Sequence, residues 1–75
     1  MTVLELHNKM DAFRKYINKE VKFTYGGNGD IELSIPKHIA LKLKYIDWLT
    51  TEFKLKDLTI QMYENEYTIT FKIVE

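Results

Sequence analysis

The spacing of apolar side chains switches three times along this chain between the period of an α-helix and the period of a β-strand. Near the N-terminus, apolar residues recur at intervals of four, three and four: Leu6, Met10, Phe13 and Ile17. Thr2 and Glu5 stand before this stripe at the spacing of a capping box, in which the threonine hydroxyl accepts from the Glu5 amide and the Glu5 carboxylate reaches back to the Thr2 amide. The pattern predicts a first helix over residues 3–19.

A period of two follows the first helix. Apolar and polar residues alternate over residues 21–25 and again over residues 31–35, which is the pattern of strands with one buried face. The intervening segment, residues 26–30, is rich in glycine and asparagine, which adopt the positive φ angles that tight turns need. We therefore expect a β-hairpin.

A second helix and a second hairpin repeat this order. Pro36 suits the first turn of a helix, because that turn leaves its N–H groups unpaired, and the spacing predicts a helix over residues 36–53. Strands are expected over residues 58–63 and 67–74, joined by a turn at 64–66. We expect the second helix to face the sheet with one apolar stripe: Ile39, Leu43, Ile46, Leu49 or Thr50, and Phe53.

These elements predict one α+β domain over residues 1–75, in the order αββαββ. Each strand has one apolar and one polar face, which indicates an antiparallel sheet covered on one side, and two amphipathic helices supply the cover. We therefore expect a two-layer sandwich, a four-stranded antiparallel sheet with two helices on one face. The chain has no cysteine and no apolar run near the about 20 residues of a membrane-spanning helix, so we expect a cytoplasmic protein.

Residues that carry out chemistry are sparse. Ser34 is the only serine, and a strand followed by a helix start does not bring it together with His38 as a nucleophile and its base. Two histidines, no cysteine and scattered carboxylates give no metal-ligand spacing. The glycine-rich segment joins two strands, whereas a phosphate-binding loop joins a strand to a helix. We expect no enzymatic activity, no metal and no cofactor.

The apolar surface of the second helix is wider than one sheet contact requires. Leu41, Tyr45 and Trp48 form a second stripe, rotated by more than a quarter turn from the first. Two interpretations stay open at this point. Tyr45 and Trp48 pack against the first helix, or the three residues form an exposed patch for a protein partner or a second copy of the chain, since Trp and Tyr often anchor interfaces.

Another segment resembles a known family. Residues 29–39, Gly-Asp-Ile-Glu-Leu-Ser-Ile-Pro-Lys-His-Ile, together with Leu43, resemble the glycine–strand–Ile-Pro-Lys–helix signature of AbrB-type swapped-hairpin DNA-binding domains. The resemblance implies a dimeric transcriptional regulator that contacts DNA with basic residues. The residues that would contact phosphates in this alternative are Lys37, His38, Lys42 and Lys44.

Charge favours protein over nucleic acid as the partner. The chain has 11 basic and 11 acidic residues, so it lacks the positive charge of a protein whose main task is to neutralise phosphates. A net charge of zero also favours self-association, so a homodimer is an open possibility. All basic residues except Arg14 are lysines, a bias typical of AT-rich coding sequences. We expect a small non-enzymatic module that binds a protein partner through the second helix, as a phage- or mobile-element-encoded accessory or inhibitor protein would.

Overall fold

The computed structural model describes residues 2–26 and 28–74 and confirms the predicted order of elements. The elements are α1 (Val3–Ile17), β1 (Lys22–Tyr25), β2 (Asp30–Pro36), α2 (Leu43–Glu52), β3 (Leu55–Met62) and β4 (Glu66–Ile73). All neighbouring strands pair antiparallel, in the order β1-β2-β4-β3. The two hairpins therefore lie side by side, joined by β2 and β4, and β1 and β3 form the two edges of the sheet.

The N-terminal cap of α1 contains the Thr2–Glu5 contact of the predicted capping box. The Thr2 hydroxyl oxygen accepts from the Glu5 N–H at 3.1 Å, as expected. The Glu5 carboxylate accepts from the same hydroxyl at 3.2 Å. The helix ends at Ile17, because the Asn18 side chain accepts from the Glu20 N–H at 2.8 Å and turns the chain toward β1.

The turn between β1 and β2 has the backbone that its glycines predict. Gly29 has a φ of 87°, a left-handed conformation that glycine adopts without steric cost. The Gly26 N–H donates to the Asp30 carbonyl at 2.8 Å, and the Asn28 side chain accepts from the Asp30 N–H at 3.3 Å. Gly27, which the predicted turn includes, lies outside the described residues.

The core lies between the two helices and one face of the sheet. Alternate residues of the central strands are fully buried: Ile31, Leu33, Ile35, Ile69 and Phe71. On α1 the predicted stripe is confirmed, since Leu6, Met10 and Phe13 are buried and Ile17 packs against them. The other face of the sheet carries polar rows, such as Ser34 beside Thr68 and Glu32 beside Thr70. This is the predicted sheet covered on one side.

The second helix begins at Leu43, so the prediction of a helix from residue 36 is wrong. Pro36 is the last residue of β2 and stands opposite Glu66. β1 pairs with β2 only as far as Ser34, so a residue without an N–H is tolerated beyond that point. The Lys37 N–H still donates to the hairpin turn, at the Asn65 carbonyl, and the chain then bends before α2 starts.

The face that α2 turns inward is only partly the predicted one. As expected, Leu49 and Phe53 are buried, and Ile39 and Ile46 pack against the core. Leu43 is 76% exposed and Thr50 is exposed, whereas Leu49 is fully buried and Tyr45 is 8% exposed. Contacts between aromatic rings explain the difference. The centroid of the Phe13 ring on α1 lies 6.4 Å from that of Tyr45 and 5.1 Å from that of Trp48. Aromatic side chains bury more area than leucine and gain further from ring contacts, so they take the inner face of a short helix.

The burial of Tyr45 and the exposure of Leu43 on α2 can be tested by measuring the free energy of unfolding of variants. Tyr45→Ala should lower the free energy of unfolding by about 3 kcal/mol, because it removes a buried ring and leaves a cavity beside Phe13. Leu43→Ala should change it by less than about 0.5 kcal/mol, because that side chain is solvated. Urea unfolding followed by circular dichroism measures both. Equal losses in the two variants would contradict this orientation of α2.

Candidate protein-binding edge

Leu41, Tyr45 and Trp48 do not form the exposed patch that the sequence suggested. Tyr45 is buried between α1 and α2, where its ring centroid lies 5.9 Å from that of Tyr16. Leu41 and Trp48 are half-buried and pack against the core. The prediction of an exposed patch is therefore wrong for Tyr45, and the other interpretation, packing against the first helix, describes both aromatic residues.

The four residues of the DNA-binding alternative are all exposed: Lys37, His38, Lys42 and Lys44. They lie in the link before α2 and in its first turn. The His38 Nε2 atom is 2.9 Å from a Glu20 carboxylate oxygen, and the Lys37 Nζ atom is 5.6 Å from the centroid of the Tyr67 ring. Lys37 and His38 thus have contacts within the chain.

Exposed apolar side chains occur instead on β3, an edge of the sheet. Ile60 is 44% exposed and Met62 is 70% exposed. Ile60 stands opposite Ile69, which is fully buried beneath the helices, and Met62 stands opposite Tyr67. Side chains opposite each other on neighbouring strands share a face, so both residues lie on the helix-facing side of the sheet. Their exposure shows that neither helix covers this end of β3.

The backbone of the same segment has unpaired hydrogen-bonding groups. The Tyr63 N–H donates to the Glu66 carbonyl at 2.8 Å, so the polar groups of Tyr63 point toward β4. Because these groups alternate in direction along an antiparallel strand, those of Ile60 and Met62 point away from β4. In the part of the chain that the structure describes, no strand lies on that side.

The two halves of β3 are protected to different degrees. In the first half, a β-bulge lies between Lys56 and Thr59, and Asp57 has a φ of 56°, which is uncommon for a residue other than glycine. Bulges and lysines are devices that keep an edge from pairing with another chain. Residues 58–63, which we call the β3 edge, carry no charge and no proline, and only Leu58 at their start belongs to the bulge.

The two sides of the β3 edge differ in chemistry. Ile60 and Met62 make the helix-facing side apolar. On the other side, Thr59 and Gln61 stand opposite Thr70 and Thr68, and the Tyr63 hydroxyl donates to the Gln61 side-chain oxygen at 2.6 Å. An added strand would therefore meet apolar groups on one face and hydrogen-bonding groups on the other.

Alternation within residues 58–63 predicts that Ile60 and Met62 lie on the covered face of the sheet, but it does not reveal that the helices leave this end of the face open. One signal in the sequence was available. The β3 edge is a run of six uncharged residues, 58–63, in a chain of which 29% is charged. Such a run with high β-propensity marks a segment that readily pairs with another strand.

No known protein family, curated protein or solved structure matches this chain. Within residues 2–26 and 28–74, no group of three His, Asp or Glu side chains is placed to hold a metal ion. Neither helix in the described part of the chain has the length and apolar character to cross a membrane. The β3 edge is the candidate site because it combines exposed apolar side chains with backbone groups that point away from the sheet.

The bulge that ends the protected half of β3 gives a prediction. Asp57→Gly should raise the free energy of unfolding by about 0.5–1 kcal/mol, because glycine adopts a positive φ without the clash of a Cβ atom. Asp57→Val should lower it by roughly 1–2 kcal/mol, because a β-branched residue is strained there. Chemical unfolding of the purified variants measures both changes. The opposite order of stability would show that this residue is not left-handed in solution.

Proposed function

We propose that this chain is a non-enzymatic protein-interaction module that binds by addition of a strand to the β3 edge. The observation that carries the proposal is the exposure of Ile60 and Met62 on the helix-facing side of an edge strand. In strand addition, main-chain hydrogen bonds supply affinity and alternate side chains supply specificity. The β3 edge offers both, since the outward backbone groups belong to the same two residues.

The two sides of the edge define the kind of segment that fits. Alternate residues of an added strand would lie beside Ile60 and Met62, where apolar side chains extend the row that contains Ile69 and Tyr67. The residues between them would lie beside Thr59 and Gln61, where polar side chains are favoured. The preferred partner is therefore an extended segment with strict apolar–polar alternation.

The proposed interaction surface lies on β3 and not on α2. The reason is the burial of Tyr45, which removes the centre of the patch expected on the second helix. An accessory or inhibitor role stays compatible with the new surface, because a protein that occupies a strand or a loop of its target acts by occlusion and needs no reactive group.

Selection from a displayed library of random peptides of about ten residues tests the proposal. We expect the recovered peptides to alternate between apolar and polar residues. Fluorescence anisotropy should show their affinity falling at least about tenfold on Met62→Lys, because a charged head replaces apolar contact area.

Leu4→Lys is the matched control, because Leu4 is also 70% exposed but lies in the first turn of α1. This variant adds the same charge and removes a similar apolar area, so it should keep the affinity within about twofold. Recovered peptides that bind the Met62 variant and the Leu4 variant equally well would refute the proposed function.

A further inference from the structure

We infer that the strand added to the β3 edge belongs to a second copy of this chain, related to the first by a two-fold axis that passes between their Ile60 residues. The inference rests on the proposed function and names its partner. Three features of β3 support it: the pattern of side chains on its two faces, the charges at its two ends and the closure of the resulting assembly.

The two faces of β3 have matching chemistry when β3 of one copy pairs antiparallel with β3 of a second copy. With Ile60 beside Ile60 of the second copy, Leu58 stands opposite Met62 and Thr59 stands opposite Gln61. Leu58 is half-buried against the core, so all three apolar residues share the helix-facing side. Apolar therefore meets apolar, polar meets polar, and no charges oppose each other within the β3 edge.

The charges that flank the β3 edge are complementary in this arrangement. Lys54 and Lys56 precede it and outnumber the intervening Asp57, whereas Glu64 follows it, in the turn that leads to β4. Antiparallel pairing brings the lysine end of one copy beside the glutamate end of the other, at both ends of the interface. A parallel arrangement would bring lysines beside lysines. With 11 basic and 11 acidic residues, the chains also do not repel each other at long range.

The backbone completes the pairing and limits it to two copies. The outward N–H and C=O groups of Ile60 would bond to the same groups of the second copy, and the two sheets would join into one. Both β3 edges are then used. The remaining edges are the β1 strands, which have only four residues and offer little for a third chain. A discrete dimer follows.

Sedimentation velocity between about 1 μM and 1 mM protein tests the dimer, with variants at the charged ends. We expect the wild-type chain to pass from monomer to dimer over this range. Lys56→Glu should raise the dimer dissociation constant by about three- to tenfold, because each two-fold pair of contacts becomes repulsive. Combining it with Glu64→Lys should restore most of the affinity, since opposite charges again lie side by side.

Ile60→Lys should abolish the dimer, and Leu4→Lys should keep it, with circular dichroism confirming that each variant is folded. A chain that stays monomeric at about 1 mM would overturn the inferred dimer. The proposed function would still hold in that case if selected peptides require Met62. A dimer that survives Ile60→Lys, or one that the charge exchange fails to restore, would also overturn it, because the copies would then meet through another surface or in another orientation.

Discussion

The pairing of β2 with β4 is the contact on which the rest of the structure depends. It runs from Asp30 opposite Lys72 to Pro36 opposite Glu66, between segments that the whole of α2 separates in sequence. Because it joins the hairpins through their second strands, it brings the most apolar rows of both together, and the helices then share one face. The same pairing makes β1 and β3 the edges, with four and eight residues respectively.

Two edges of such different length need different protection. A strand of four residues offers few backbone groups to another chain, whereas one of eight residues is a template unless something blocks it. In β3 the bulge at Asp57 and the neighbouring lysines protect only the first half. The second half combines open backbone groups with Ile60 and Met62, which would be an aggregation hazard in a chain without a partner for it. This contrast within one strand is why we regard the exposure as functional.

Local signals in the sequence predicted most of the fold, and contacts distant in sequence decided the rest. The stripe on α1 and the alternation in the hairpins gave the elements, their order and the covered face of the sheet. The start of α2 was missed because Pro36 is equally suited to a first helical turn and to a strand position without a neighbour. The inner face of α2 depended on Phe13, about thirty residues away, and periodicity carries no information on such a partner. The exposure of Ile60 and Met62 depended on strand order, which alternation within a strand does not reveal.

The free energies that hydrogen bonds, apolar burial and ion pairs contribute to association indicate which residues would control binding at the β3 edge. A backbone hydrogen bond formed in place of one to water contributes only about 0.5–1.5 kcal/mol, and association costs roughly 4–15 kcal/mol in lost freedom of motion. The outward groups of Ile60 and Met62 are too few to offset that cost alone. Burial of apolar area, at about 25 cal/mol per Å², must supply the remainder, and a two-fold axis doubles the contribution of each side chain. Exposed ion pairs add at most about 1 kcal/mol each. In the proposed dimer the flanking charges would therefore set the orientation of the partner, while Ile60 and Met62 would decide whether it binds.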